Sequence, residues 1–85
     1  MARQTISLPF SGEVAREIRE RSGLTLGGLA ERCQALGYSV HRSYLGKIES
    51  GLNRPSPPLL KTLAKALRVE VDDLLTRDEP VGRAS

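Results

Sequence analysis

The 85-residue sequence contains few of the residues from which catalytic and metal centres are built. It has one cysteine, one histidine and no tryptophan. A single cysteine excludes an intramolecular disulfide framework and fits a reducing compartment. A metal cluster needs several nearby ligands, and no glycine-rich phosphate loop joins a strand to a helix. We therefore expect a protein that is not an enzyme, with no metal, no cofactor and no small-molecule ligand.

Long apolar runs and aromatic residues are also scarce. No run is long enough to span a bilayer, and the first residues lack the apolar segment of a signal peptide. We therefore expect a soluble cytoplasmic protein with no membrane partner. The aromatic residues are Phe10, Tyr38 and Tyr44 alone, which leaves aliphatic side chains to fill the core. A chain of this length suits one small domain.

Positive charge is concentrated in the middle of the chain. The net charge is only +3. Residues 32–68, however, hold one acidic residue, Glu49, against seven basic ones: Arg32, Arg42, Lys47, Arg54, Lys61, Lys65 and Arg68. A local positive field of this kind is typical of a protein with a polyanion partner. On charge alone, a solvated basic face is the simpler interpretation.

Apolar residues at helical spacing predict an all-α domain. We expect helices over residues 13–22, 25–35 and 41–50, a fourth from residue 57 onward, and a short fifth near residues 71–75. Thr25 and Ser56 are suitable N-caps, and Gly23 and Gly51 are suitable stops. The second and third helices form a helix-turn-helix candidate, which is weak evidence by itself in an α-bundle.

The two ends differ from the helical domain, which we place at residues 13–76. In residues 1–12, Ile6, Leu8 and Phe10 alternate and Pro9 interrupts them. This predicts an extended arm that packs on the bundle or on a second subunit, or equally a loosely held terminus. Residues 77–85 are polar and contain proline and glycine, so we expect a disordered tail.

The segment 41–56 has two chemically different faces. Leu45, Ile48 and Leu52 fall at helical spacing and are expected to face the core. The other face, near the helix N-terminus, carries basic, polar and small residues: His41, Arg42, Ser43, Gly46 and Lys47. A DNA recognition helix needs this arrangement, because its N-terminal residues reach base edges while its back packs on the scaffold. Each of these residues taken alone is also interpretable as a solvated surface side chain.

Phosphate contacts are expected around the same helix. Asn53 and Arg54 lie in the turn that follows it, and the helix N-terminus at Ser56 adds backbone N–H donors. Most of the affinity for DNA would come from neutralisation of phosphates by the basic residues. We assign this contribution to Arg32, Arg42, Lys47, Arg54 and Lys61.

Several separate blocks of the sequence occur in the order of a known family. They cover roughly residues 13–75 and read IRERSGLT (18–25), LA (29–30), RSYLGKIESG (42–51), PS (55–56), LLKTLAKALRV (59–69) and DDLL (72–75). These blocks resemble the helix-turn-helix domain of the Cro/CI-type (XRE) family of transcriptional regulators. The resemblance implies a compact four- to five-helix bundle, lambda-repressor-like, that binds double-stranded DNA, usually as a homodimer on a palindromic operator.

The resemblance also implies roles for individual residues. Leu26 takes the opening position of helix two, and Ala30 the small buried site where the helices cross. Tyr44 matches a position that docks helix three on the scaffold, and it is also a candidate for a phosphate contact. Arg19 and Glu49 match a structural salt bridge between helices one and three, which would neutralise the one acid of the basic segment.

The sequence departs from the family at two points. Family members commonly have a glutamine at the position of Leu26, where it touches the DNA backbone. Here that contact is absent or is supplied by another group, such as the backbone N–H groups near Thr25. The stretch from Ala30 to Val40 is also longer than the family usually has, so residues 34–38 extend helix two or enlarge the turn around Gly37. This insertion adds a DNA contact, a dimer contact or neither.

The expected function is sequence-specific binding of double-stranded DNA and transcriptional regulation, in the cytoplasm and in association with the bacterial nucleoid. The alternative is a protein-interaction module of the same fold, such as an antitoxin or a coactivator bridge. The feature that favours the alternative is the apolar arm at residues 6–10, which would dock on a partner. Binding to DNA that weakens steeply with salt would favour the first interpretation.

Overall fold

The computed structural model describes residues 10–75, which form four α-helices and one short 3-10 helix. The α-helices are α1 (Gly12–Arg21), α2 (Leu26–Ala35), α3 (Arg42–Ser50) and α4 (Pro57–Leu67), and the 3-10 helix η1 is Val71–Leu74. The predicted all-α class is confirmed. Within residues 10–75, none of the helices combines the length and the apolar character needed to cross a membrane.

Side-chain caps fix where the four α-helices begin. Ser11, Thr25, His41 and Ser56 are the N-caps, and each side chain accepts a hydrogen bond from a backbone N–H in the first turn of its helix. Such a bond satisfies one of the donors that have no partner inside the helix. The predictions for Thr25 and Ser56 are confirmed. His41 lies one residue before α3 rather than within it.

The end of α3 corrects the prediction for Leu52. The helix ends at Ser50, and Gly51 adopts the left-handed conformation with φ +89°. The backbone N–H of Leu52 then donates to the carbonyl oxygen of Lys47 at 2.9 Å, as is usual where a glycine ends a helix. Because the chain turns away at Gly51, helical spacing no longer applies, and Leu52 is 75% exposed rather than buried.

The core lies where α4 meets the other helices. Within residues 10–75 every buried residue is apolar, and the set is Ala15, Leu29, Cys33, Leu45, Ile48, Leu59, Leu63, Ala64, Ala66, Leu67 and Leu74. Five of these belong to α4, which packs on α2 and η1, while α3 packs on α1 and α2. The side of α3 that carries Ser43 and Lys47 is exposed.

The residues that we expected to be inserted, 34–38, are divided between α2 and the connection that follows it. α2 continues to Ala35, and residues 36–41 connect it to α3. Gly37 lies in this connection with φ +95°. The backbone N–H of Tyr38 donates to the carbonyl oxygen of Cys33 at 2.9 Å, and the Tyr38 hydroxyl lies 3.3 Å from the Ser56 hydroxyl. The insertion is thus packed back towards the start of α4.

The two ends of the described region meet. Phe10 and Leu75 form an isolated antiparallel β-bridge, and the backbone N–H of Ser11 donates to the carbonyl oxygen of Leu74 at 2.9 Å. Phe10 packs against the core, so this end of the arm predicted at residues 1–12 packs on the bundle. The rest of that arm, residues 1–9, and the predicted tail at 77–85 lie outside the described residues.

Candidate nucleic-acid interface

The exposed side of α3 carries the small, polar and basic residues expected there. Leu45 and Ile48 are buried, each 1% exposed. At 100° per residue, Ser43 and Lys47 fall on the opposite side of the helix, and both are exposed. Arg42 is also exposed, whereas Gly46 is half-buried. The back of the helix therefore packs on the scaffold while its outward side stays open.

The N-terminal ends of α2 and α3 form one continuous surface. A methyl group built on Gly27 would lie 3.8 Å from Thr25 Oγ1 and 4.0 Å from Arg42 Cδ. Arg42 Cδ therefore lies close to Gly27, in the first turn of α2. A methyl group on Gly46 would lie 3.5 Å from Leu26 Cδ1. Gly27 was not among the predicted residues, because its proximity to Arg42 is a tertiary contact that no spacing in the sequence signals.

The start of α2 offers backbone groups rather than a polar side chain. Thr25 is exposed, and its hydroxyl oxygen accepts a hydrogen bond from the backbone N–H of Gly28 at 2.9 Å. Leu26 is half-buried and packs against the core. The N-terminus of α2 therefore presents N–H groups and the positive end of the helix dipole.

Tyr44 lies at the flank of α3. The resemblance implied that it docks the helix on the scaffold, but the ring is 39% exposed while the neighbouring Leu45 is buried. Tyr44 falls at the edge of the inward stripe that Leu45 and Ile48 form. Its exposure keeps the hydroxyl accessible from outside the bundle.

Arg19 and Glu49 form a bidentate ion pair between α1 and α3. Arg19 Nε donates to Glu49 Oε2 at 2.7 Å and Nη2 donates to Oε1 at 3.0 Å. A third bond runs from Arg19 Nη1 to the carbonyl oxygen of Leu24 at 2.7 Å. The two side chains are only 11% and 8% exposed. The hydrogen bond with Glu49 raises the pKa of the Arg19 guanidinium, so a positive charge stays beside the one acidic residue of α3.

Arg32 is the predicted site residue whose position the structure corrects. Its Nη1 donates to the carbonyl oxygen of Ala66 at 3.0 Å, in the last turn of α4. The carbonyl groups at a helix C-terminus have no intrahelical partners and attract cations. The Arg32 side chain therefore joins α2 to the end of α4 instead of standing free for a phosphate, and we remove it from the interface.

The segment after α3 retains its predicted polar groups. Arg54 and Lys61 are exposed and Asn53 is half-buried. The backbone N–H of Asn53 donates to the carbonyl oxygen of Lys47 at 3.3 Å, which fixes the start of the turn. Ser56 caps α4 through a bond from the backbone N–H of Leu59 at 3.4 Å.

The side chains that commonly bind metals are dispersed in residues 10–75. Within that range no group of three or more histidine, cysteine, aspartate or glutamate residues is placed to hold a metal ion. Cys33 is 0% exposed, and burial raises the pKa of its thiol. A protonated, inaccessible thiol packs as a small apolar side chain.

The sequence and the fold are similar to those of known proteins. A sequence family described as a helix-turn-helix domain matches residues 12–77. Two uncharacterized HTH-type transcriptional regulators of Mycobacterium tuberculosis, MT0491 of strain CDC 1551 / Oshkosh and Rv0474 of strain ATCC 25618 / H37Rv, are each 38% identical over 66 residues. The alignment covers 78% of this chain but only 44% of each relative.

A solved structure shares the fold over most of its length. It is the restriction-modification controller protein C.AhdI from Aeromonas hydrophila, which is 33% identical and superposes with a TM-score of 0.67. The match covers 75% of this chain and 89% of the controller protein. The helical arrangement described above is thus present in a solved protein of similar sequence.

Proposed function

Because this chain belongs to the helix-turn-helix domain family, as its resemblance to the Cro/CI type indicated, we propose that it binds double-stranded DNA sequence-specifically and regulates transcription. In this proposal α3 enters the major groove, and its N-terminal residues read base edges. The base-reading residues are His41, Arg42, Ser43, Gly46 and Lys47.

The observation that supports the proposal is the continuous surface at the starts of α2 and α3. Arg42 Cδ lies close to the first turn of α2, and Lys47 is exposed one turn further along α3. The acid of this helix, Glu49, is paired with Arg19, so it does not oppose the approach of phosphates. A helix that is open on one side and carries unpaired cations there suits a polyanion with a groove.

Contacts with the DNA backbone are proposed on either side of α3. The first backbone N–H groups of α2 and the exposed Thr25 would meet phosphates before the helix, in place of the family's glutamine. Tyr44, Asn53, Arg54 and Lys61 would meet them beside and after it. These contacts fix the position of α3 in the groove without reading sequence.

We also infer a homodimer on a palindromic operator and a location in the cytoplasm with the nucleoid. Both are inferred from family membership. The chain spans only 44% of the length of the curated relatives that it matches. The role proposed is binding rather than catalysis. The protein-interaction alternative loses part of its support, because Phe10 of the apolar arm packs on the chain's own core.

The test is DNA binding by the 85-residue protein as a function of salt. A duplex pool of random sequence should be shifted in a gel, and the logarithm of the binding constant should fall linearly with the logarithm of salt concentration. The double variant Arg42→Ala and Lys47→Ala should lose most of the shift. It should keep the circular dichroism spectrum of the wild-type protein. Salt-independent binding, or tight binding to a protein without any DNA shift, would favour the interaction module instead.

A further inference from the structure

Gly46 leaves a gap in the surface of α3 that the fold itself does not require. Within residues 10–75 the glycines with positive φ are Gly23, Gly37 and Gly51, so the backbone at Gly46 suits any residue. A methyl group built on Gly46 would have Leu26 Cδ1 as its neighbour at 3.5 Å, which is ordinary van der Waals contact. Alanine would also favour the helix more than glycine does. The missing side chain therefore matters for what approaches α3 from outside.

The side chain of Leu26, in the first turn of α2, forms the floor of this gap. Leu26 packs against the core but is only half-buried, so part of it stays accessible. Leu26 and Gly46 line one open depression of about 270 Å³ between α1, α2 and α3. The charged residues that line the same depression form ion pairs with one another, Arg16 with Glu20 and Arg19 with Glu49. The surface beside Gly46 is therefore apolar.

Residues of the proposed reading surface flank the gap. Arg42 precedes Gly46 by about one helical turn, and the exposed Lys47 follows it directly. A methyl group built on Gly27, the residue after Leu26, would lie 4.0 Å from Arg42 Cδ. When α3 lies in the major groove, the row of base edges that meets Arg42 and Lys47 therefore also passes Leu26.

We propose that Leu26 contacts the C5-methyl group of a thymine through the gap at Gly46, an inference that rests on the proposed function. Thymine presents a methyl group in the major groove, and the other three bases present none there. A donor or acceptor of a base held against Leu26 would lose water without gaining a partner. Leu26 thus adds a preference for thymine from α2, outside the helix that carries the other base-reading residues.

The test removes one methyl group at a time from the DNA. After site selection with the wild-type protein, each thymine of the selected site is replaced by deoxyuridine, which pairs with adenine and lacks only the C5-methyl group. At one thymine position of the half-site this replacement should weaken wild-type binding by about fourfold, the effect expected when one methyl group is no longer buried. This measurement needs no variant, so it tests the inference even where a variant is unstable.

Two variants of similar size then test whether Leu26 makes the contact. Leu26→Gln places an amide at the end of the side chain, so the ratio of binding constants for thymine and deoxyuridine should fall to about one. Leu26→Met remains apolar and should keep most of the wild-type ratio. The control is Leu36→Gln, because Leu36 is a 49% exposed leucine at the opposite end of α2, and it should behave as wild type. Thermal unfolding checks that each variant is folded.

The outcomes distinguish this inference from the proposed function. Sequence-specific binding that no deoxyuridine replacement weakens would overturn the role of Leu26 and leave DNA binding intact. The same conclusion follows if Leu26→Gln keeps the wild-type ratio, or if Leu26→Met or Leu36→Gln loses it as completely as Leu26→Gln. Failure of the wild-type protein to bind any duplex would overturn the proposed function, and this inference with it.

Discussion

Arg42 and Lys61 carry the same charge but have different roles in the proposed interface. Arg42 lies at the start of α3 beside Gly27, where we propose that its planar guanidinium contacts base edges. Lys61 is exposed on α4, where we propose that its ammonium group contacts phosphate as a point charge. Position therefore decides whether a cation contributes specificity or only affinity.

Substitution of the two cations should have different signatures. Arg42→Ala should relax the base preference at one position and cost about 1–3 kcal/mol on the selected site. Lys61→Ala should weaken all duplexes alike and reduce the salt slope by about 1. Binding constants for the selected and a scrambled duplex, measured at several salt concentrations, distinguish the two effects. Selected and scrambled duplexes that respond equally to Arg42→Ala would contradict the assignment.

The Arg19–Glu49 pair should be important for stability. Glu49→Gln removes the bidentate partner of the Arg19 guanidinium, which is only 11% exposed and would keep only one carboxylate neighbour, Glu20 Oε2 at 4.0 Å, so the free energy of unfolding should fall by about 3 kcal/mol. Arg16→Gln is the control, because Arg16 Nε meets Glu20 Oε2 at 3.2 Å with both side chains more than half exposed. That change should cost less than about 1 kcal/mol. Urea titrations measure both values, and equal losses would contradict the role of burial.

The pKa of Arg19 sets the sign of the pH dependence. Because the folded pKa is raised by Glu49, the contribution of the guanidinium is fully present below its unfolded pKa. It would be lost only as the pH rises through the folded pKa, which lies above the ordinary range of arginine. No alkaline loss of stability from Arg19 is therefore expected in the working range of a protein.

At the scale of elements, α1 and α3 approach each other closely at Gly12. A methyl group built there would overlap the carbonyl oxygens of Ile48 and Glu49, which are backbone atoms that side-chain motion cannot move aside. The first turn of α1 thus rests directly on the last turn of α3. This contact positions the helix that we propose reads DNA.

Gly12→Ala should destabilise the fold, by about 1–3 kcal/mol, because overpacking forces the two helices apart. Gly27→Ala provides a matched contrast, since its added methyl group meets nothing nearer than 3.8 Å. That second change should stabilise α2 by up to about 1 kcal/mol, as alanine is the better helix former. Chemical denaturation of both variants gives the comparison. Similar stability of the two variants would show that the α1–α3 contact yields easily.

The lead-in to α3 is also an element-scale feature. Residues 36–41 connect α2 to α3, and the Tyr38 hydroxyl lies beside the Ser56 hydroxyl that caps α4. The start of α3 is therefore held from both sides, by α2 beneath Arg42 and by the connection before His41. A helix held in this way presents its first turn in one orientation.

At the scale of the whole molecule, symmetry of the operator would report the assembly. If two chains bind together, selected sites should contain two inverted half-sites whose centres are about 10 base pairs apart or a multiple of that spacing. The mass of the protein–DNA complex in analytical ultracentrifugation should then correspond to two chains. A single asymmetric site bound by one chain would contradict the homodimer and leave the reading surface unaffected.

The helix caps, the helix ends and the burial of α3 could be predicted from local sequence. The N-caps at Thr25 and Ser56, the glycines at 37 and 51 and the burial of Leu45 and Ile48 were all predicted, because caps and helical periodicity depend on residues within about one turn. The same local rules placed the small and basic residues on the open side of α3. Spacing failed for Leu52, since it lies beyond the glycine that ends the helix.

Only the tertiary structure determined the contacts of the long side chains and of the two ends of the described region. Arg32 donates to the carbonyl oxygen of Ala66, 34 positions away, and Phe10 pairs with Leu75. Such contacts depend on how the helices pack. The charge or hydrophobicity of a residue predicts that it needs a partner, but not which residue that partner is. The sequence by itself therefore determined the helices and the face of α3, whereas packing decided which cations remain available to that face.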